Sequence, residues 1–184
     1  MASIGAHHLK GIGLAPGASQ MYLGRPDAGD MFSTAFKGAG HAVSENLSAM
    51  ANSLGPCIFL FGRDPDALSP EWAARALEAV TGIEMTAEEL IKAGERIVNI
   101  QKAFNSRLGL RREHDTVCER WLNEPQIEGH SKGMKMGNYL ESAKDEYYGW
   151  RGWDLETSLQ TREKLGELDM TDVTRALEKE DALV

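Results

Sequence analysis

The sequence predicts an all-α domain. Apolar residues recur at three- and four-residue spacing through most of the chain after Phe32, and helix start and stop signals flank those stretches. No alternating run bounded by turn residues stands against them, apart from the short Ile58–Phe61 segment. The 184 residues, 42% hydrophobic and 26% charged, suit one compact core. A chain of that length buries roughly 70% of its unfolded surface and needs no disulfide scaffold.

Residues 1–31 are glycine-rich, with Gly11-Ile12-Gly13 and Ala15-Pro16-Gly17, and keep neither a period of 2 nor one of 3.6. They are expected to be irregular, and residues 32–184 to form the helical domain. Gly11, Gly13 and Gly17 match neither the dinucleotide nor the P-loop spacing, and no apolar strand precedes them. A first helix is expected over Ala42–Leu54, where Val43, Leu47, Met50 and Leu54 mark one face before Gly55-Pro56. Ser69-Pro70 reads as an N-cap with proline at the first helical position, opening a helix through Trp72, Ala73, Ala76, Leu77 and Val80 to Gly82.

Thr86-Ala87-Glu88-Glu89 is a capping box. The helix that follows carries Leu90, Ile91, Ile97, Val98 and Phe104, and Gly109 stops it. Gly94 in its interior costs ~1 kcal/mol against alanine, which points to a close approach by another backbone. A shorter helix is expected over Thr116–Leu122 and a loop over Pro125–Gly137. Further helices follow over Tyr139–Trp150, Thr161–Leu168 and Thr171–Lys179. No repeat of fixed period is present.

The formal charge is −8, and no block of basic residues stands out, which argues against a nucleic-acid partner. The longest apolar run, Cys57 to Phe61, falls far short of the ~20 residues of a membrane helix. The first ten residues lack a charged stretch followed by an apolar one, so a cytoplasmic location is expected, and with it no disulfide between Cys57 and Cys118. No Gly-x-Ser-x-Gly elbow is present, and the histidines show neither partner spacing nor a His-x-x-x-His face. His7-His8 reads as a solvated pair, and His114 beside Asp115 as a surface pair.

Two readings of Cys57 follow from the residues. It is either a small buried hydrophobe leading into Ile58-Phe59, as free cysteine usually is, or a thiol presented at the Gly55 turn. The block from Tyr147 to Asp154 reads as a packed helix terminus in which Trp150 and Trp153 bury area. Arg96, Asn99 and Asn105 read as cross-links between helices.

Three blocks carry a family resemblance. Gly94-Glu95-Arg96-Ile97-x-Asn99-x-x-Lys102-Ala103-Phe104-Asn105-x-Arg107-x-Gly109 resembles a stretch near the C-terminal end of the tungsten-containing aldehyde ferredoxin oxidoreductases. Tyr147-Tyr148-x-x-Arg151-Gly152-Trp153-Asp154 resembles that family's Y-Y-x-x-R-G-W-D, and Asn52-Ser53-Leu54-Gly55-Pro56-Cys57 its D-x-x-G-L-C. The blocks stand in the family's order and span roughly residues 42–175. The resemblance implies a compact all-α domain like the family's C-terminal helical domain. It implies an enzyme that oxidises aldehydes to carboxylic acids at a tungsten or molybdenum bis-pterin, passing electrons through a 4Fe-4S cluster to ferredoxin. Cys57 then corresponds to one cluster ligand, and Asn52, Leu54 and Gly55 to pterin contacts.

The departures are specific. Asn52 stands where the family has aspartate, and so loses the charge-assisted part of a hydrogen bond to a pterin amine. Pro56 replaces leucine and removes a backbone donor, and Cys118 lies where proline is usual. A 4Fe-4S cluster takes four protein ligands, and only Cys57 of the two cysteines is placed for one. The other ligands belong, in the family, to an N-terminal cofactor domain that residues 1–41 do not resemble; His8-Leu9-Lys10-Gly11 matches an H-x-K-G element weakly, and no substrate-pocket histidine is assigned to His41. The expected partners are therefore that domain or subunit and a ferredoxin-type acceptor. The alternative is a non-catalytic helical interaction module that kept the scaffold, for which Asn52 speaks. An apolar patch left uncovered would favour the first reading, and a polar surface the second.

Overall fold

The computed structural model describes residues 7, 9–11, 16–30, 32–60 and 69–184. Among them are eight α-helices: α1 (Pro16–Leu23), α2 (Lys37–Leu54), α3 (Pro70–Thr81), α4 (Ala87–Arg107), α5 (Glu119–Asn123), α6 (Leu140–Arg151), α7 (Arg162–Glu167) and α8 (Thr171–Glu178). No strand occurs among the described residues, only isolated bridges pairing Gln160 with Trp153 and with Leu183. The all-α expectation holds.

The predicted caps form. Ser69 Oγ accepts from Trp72 N at 3.3 Å with Pro70 leading α3, and Gly82 closes that helix at φ 75°. Thr86 Oγ1 accepts from Glu89 N at 3.1 Å while Glu89 Oε2 accepts from Thr86 N at 2.8 Å, so both halves of the capping box are made.

The start of α2 differs from the expected Ala42. Lys37-Gly38-Ala39-Gly40 has no local cap, and its first amides are satisfied from elsewhere in the chain. Glu146 Oε2, on α6, accepts from Gly38 N at 2.7 Å. Gly38 also lets the two backbones touch, since a Cβ there would lie 2.5 Å from Ala143 O and Tyr147 N. A contact between residues 108 apart thus adds more than one turn to the helix.

Residues 1–31 are not irregular throughout. Pro16–Leu23 is helical, and Ala18 is buried in one core with Leu47, Met50 and Ala51 of α2, Ala73 and Ala74 of α3 and Leu90 of α4. Two turns are too short to show a period in sequence, so burial against neighbours decides the helix. The Ile58–Phe61 segment is not a strand either: Ile58–Leu60 is a single 3-10 turn, and Phe61 lies outside the described residues.

The centre is the α2·α4 pair. Met50 and Ala51 share a core with Leu90, whereas Ala42 and Ala49 share the next with Val98, Tyr147, Tyr148 and Trp153, so the two helices run antiparallel. Gly94 makes the approach: a Cβ on it would fall 2.2 Å from Asn46 O. A third core joins Ala103 to Leu165, Leu168, Met170, Leu177 and Ala182.

Buried polar groups tie these layers. Arg151, 1% exposed, donates from Nη2 to Glu45 Oε2 at 2.8 Å and Ala42 O at 2.9 Å, and from Nη1 to Asn46 Oδ1 at 2.5 Å. Glu45 also accepts from the Tyr147 hydroxyl. Asn99 Oδ1 accepts from Trp153 Nε1 at 3.0 Å and Gln160 Nε2 at 2.7 Å. Lys102 donates to Ser158 Oγ at 2.9 Å under the Trp153 ring, and burial brings its ammonium down to about 8. The two motif blocks are therefore mutual packing partners. Trp150, expected to bury area, is exposed, and Trp153 alone carries that role.

Candidate functional site

The four predicted site residues lie on one turn at the C-terminal end of α2. The helix stops at Leu54 because Gly55 turns left-handed at φ 90°, a conformation that costs glycine nothing. Pro56 cannot continue a helix, and Cys57 follows with its carbonyl accepting from Leu60 N at 2.9 Å. Ser53 Oγ donates to Met50 O at 2.7 Å, satisfying one of the last carbonyls of the helix.

Asn52, Gly55 and Cys57 are exposed, while Leu54 is half-buried and packs against the first core. Leu54 anchors the turn through its side chain, and its backbone alone remains for a ligand. Among the described residues no heavy atom beyond its chain neighbours lies within 4 Å of the Cβ position of Gly55, so that side of the turn is open to close approach. The Cys57 thiol is free and exposed, which overturns its reading as a buried hydrophobe. Phe59 and Leu60, immediately after it, are exposed as well.

Cys118 is also a free, exposed thiol, at the head of α5, so it is not a core residue. Among the described residues no three His, Cys, Asp or Glu side chains gather closely enough to hold a metal ion. The donor set at the turn therefore fits an iron–sulfur cluster as one thiolate among four, with the other three supplied from outside it. Nor does any helix among the described residues have the length and apolarity to cross a membrane.

His41 stands at the other end of α2, on its first turns. Its Nε2 lies 4.0 Å from Glu45 Oε1, its ring meets Tyr147 edge-on, and Gly11 packs so closely on it that a Cβ would overlap the imidazole. Gly11 thus lies against α2, whereas His8 is outside the described residues.

Sequence periodicity missed Glu45 and Asn46, which are buried although polar. Their spacing against Arg151 leaves no local mark; a run of α2 buried on nearly all sides between Ser44 and Ala51 becomes visible only once α4 and α6 are packed on it.

Comparison with known proteins agrees with this architecture. Residues 1–170 match the family model described as aldehyde ferredoxin oxidoreductase, domains 2 and 3, a longer match than the three motif blocks cover. The tungsten-containing aldehyde ferredoxin oxidoreductase of Pyrococcus furiosus is 35% identical over 130 residues, covering 70% of this chain and 20% of that protein. The enzyme of the same name from Thermococcus kodakarensis shows 35% identity over 130 residues, again 20% of its length. The chain thus spans about a fifth of these relatives. Among solved structures, the active-site complex BamBC of benzoyl coenzyme A reductase in complex with 1,5-dienoyl-CoA superposes at a TM-score of 0.66, covering 82% of this chain and 21% of that one. At 22% identity that likeness concerns the fold. The motif blocks, the helical architecture and the family match converge: this chain belongs to the aldehyde ferredoxin oxidoreductase family, in the region of its domains 2 and 3.

Proposed function

We propose that the chain is the C-terminal domain or a split subunit of an aldehyde ferredoxin oxidoreductase-like enzyme that works with a cofactor-bearing N-terminal domain supplied in trans. The observation that carries this reading is the exposed Cys57 thiol on an open glycine turn, at the position of the family's cysteine motif. Cys57 would be one of four ligands of a 4Fe-4S cluster. Asn52 would approach a pterin through its carboxamide, and Leu54 and Gly55 through backbone groups.

When bound, the tungsten or molybdenum bis-pterin supplies the two-electron oxidation of an aldehyde to a carboxylic acid, and the cluster relays the electrons to a ferredoxin-type acceptor. The residues of this chain bind and position. Leu54 fixes the turn to the core, Gly55 keeps its outer side clear of a side chain, and Pro56 leaves the stretch before Cys57 without a competing backbone donor. Asn52, where the family has aspartate, donates and accepts without charge, so its hold on a pterin amine is weaker than a carboxylate's. That substitution also favours a second reading, a helical interaction module without its own chemistry.

Protein purified anaerobically from its native source, together with any co-purifying partner, separates the two. Iron with tungsten or molybdenum and a visible cluster absorbance, lost on Cys57→Ser, is the expected result. A colourless, metal-free, stable monomer overturns the oxidoreductase reading and leaves the interaction module.

A further inference from the structure

The second half of α4 has two apolar faces. Val98 and Ala103 are buried against the rest of the chain, together with Ser106 and with Lys102, which donates to Ser158 Oγ. Rotated away from them, Ile100, Phe104 and Leu108 follow one another at four-residue steps and stand 54%, 62% and 65% exposed. A helix that is apolar on opposite faces belongs in an interior, not at a surface. Three large side chains aligned along two turns also form a ridge of the kind that a facing protein surface covers. The charge pattern agrees: from Arg96 to Arg112 the chain has no aspartate or glutamate, although its net charge is −8.

We infer that the Ile100–Phe104–Leu108 ridge of α4 is a docking surface for the cofactor-bearing part of the enzyme, separate from the contact made at Cys57. The occupant follows from the comparisons. About four-fifths of each relative's length lies outside the matched region, and it is the polypeptide in which a cover for this ridge is available. The two surfaces lie toward opposite ends of the antiparallel α2·α4 pair, with Cys57 near the start of α4 and the ridge near its end. Two separated contacts fix the orientation of one body on another, where a single contact leaves a pivot. The inference rests on the reading that a cofactor-bearing domain or subunit exists in trans.

Site-specific photocrosslinking in cells of the native source tests it. p-Benzoylphenylalanine replaces Phe104 on the ridge, Phe59 beside Cys57, and Asp172, whose side chain is 94% exposed on α8, as a control. Crosslinks from both 104 and 59 to one polypeptide that carries the remaining cluster cysteines, absent from 172, are the expected result. A crosslink from 59 without one from 104, or from 104 to a second copy of this chain, overturns the ridge while leaving the Cys57 reading in place. A crosslink from 104 to the cluster-bearing polypeptide without one from 59 keeps the ridge and defeats the Cys57 face. Silence at both positions defeats both. Phe104→Ala in the complex is expected to weaken association ~30-fold with an unchanged melting temperature of the chain alone, because the ring is exposed in it. Unchanged association overturns the proposal.

Discussion

Gly94→Ala sets two known effects against each other. In an exposed helix interior the substitution stabilises by ~1 kcal/mol, because alanine restricts the unfolded chain and glycine does not. In α4 the new methyl would stand 2.2 Å from Asn46 O and 3.2 Å from Met50 N, both backbone atoms of α2. Ordinary contact begins at 3.4 Å, so the α2·α4 separation has to grow by more than an ångström, and no side-chain rotation relieves it. That displacement lifts Leu90 from Leu47, Met50 and Ala51, and Val98 from Ala42 and Ala49. Overpacking of this kind costs roughly 1–3 kcal/mol and more where backbone is involved, so the clash outweighs the propensity gain. The expected net loss of ~2 kcal/mol lowers the urea midpoint by ~1 M at a slope of ~2 kcal/mol/M. Gly149→Ala is the matched control, since among the described residues nothing outside its own helix turn lies within 4 Å of its Cβ position on α6. It is expected to raise the midpoint. Equal shifts in the same direction for the two variants would refute the close-approach argument.

Arg151→Met leaves Glu45 buried with the Tyr147 hydroxyl and removes the donors to Asn46 and Ala42 O. A loss of ~3–5 kcal/mol is expected in denaturant unfolding, with most of it recovered when Glu45→Met is added. Lys102 has a folded-state pKa of about 8, below its ordinary 10.5, through burial first, with Asp115 opposing and Arg111 adding. Between those values the unfolded chain holds the proton and the folded chain has released it, so this group makes stability rise with pH, by up to ~3 kcal/mol across the window. Lys102→Met should therefore flatten the pH dependence of unfolding between pH 8 and 10.5, and an unchanged profile would contradict the assignment. Thr86→Ala removes the acceptor for Glu89 N and is expected to cost ~1 kcal/mol, measured by thermal melting.

Most of the helices were legible because their signals are local. Ser69-Pro70, Thr86-x-x-Glu89 and Gly82 act within four residues of themselves, and the structure places α3 and α4 accordingly. What was not legible depends on distant partners. The head of α2 is satisfied by Glu146, and α1 exists through burial of Ala18 rather than through its own pattern. The site was legible as a turn, from Gly55 and Pro56. Its exposure was not, because the general habit of free cysteine to be buried gives no sense of where one helix ends relative to its neighbours.

The seating of α2 has a mechanical consequence. Its 18 residues make a rod ~27 Å long, held at its head by Glu146 and along its middle by Arg151 and by the notch at Gly94. Leu54 pins its far end to the first core, so the rod is seated along its length, and Cys57 sits three residues past that last anchor. Were the rod to rotate as a whole about its head, one degree would carry its far end through about half an ångström, so every one of these anchors bears on where Cys57 stands. The clamp at Gly38 and Glu146 is thus one of the anchors that set the position of the Cys57 thiol, although it lies at the opposite end of the rod.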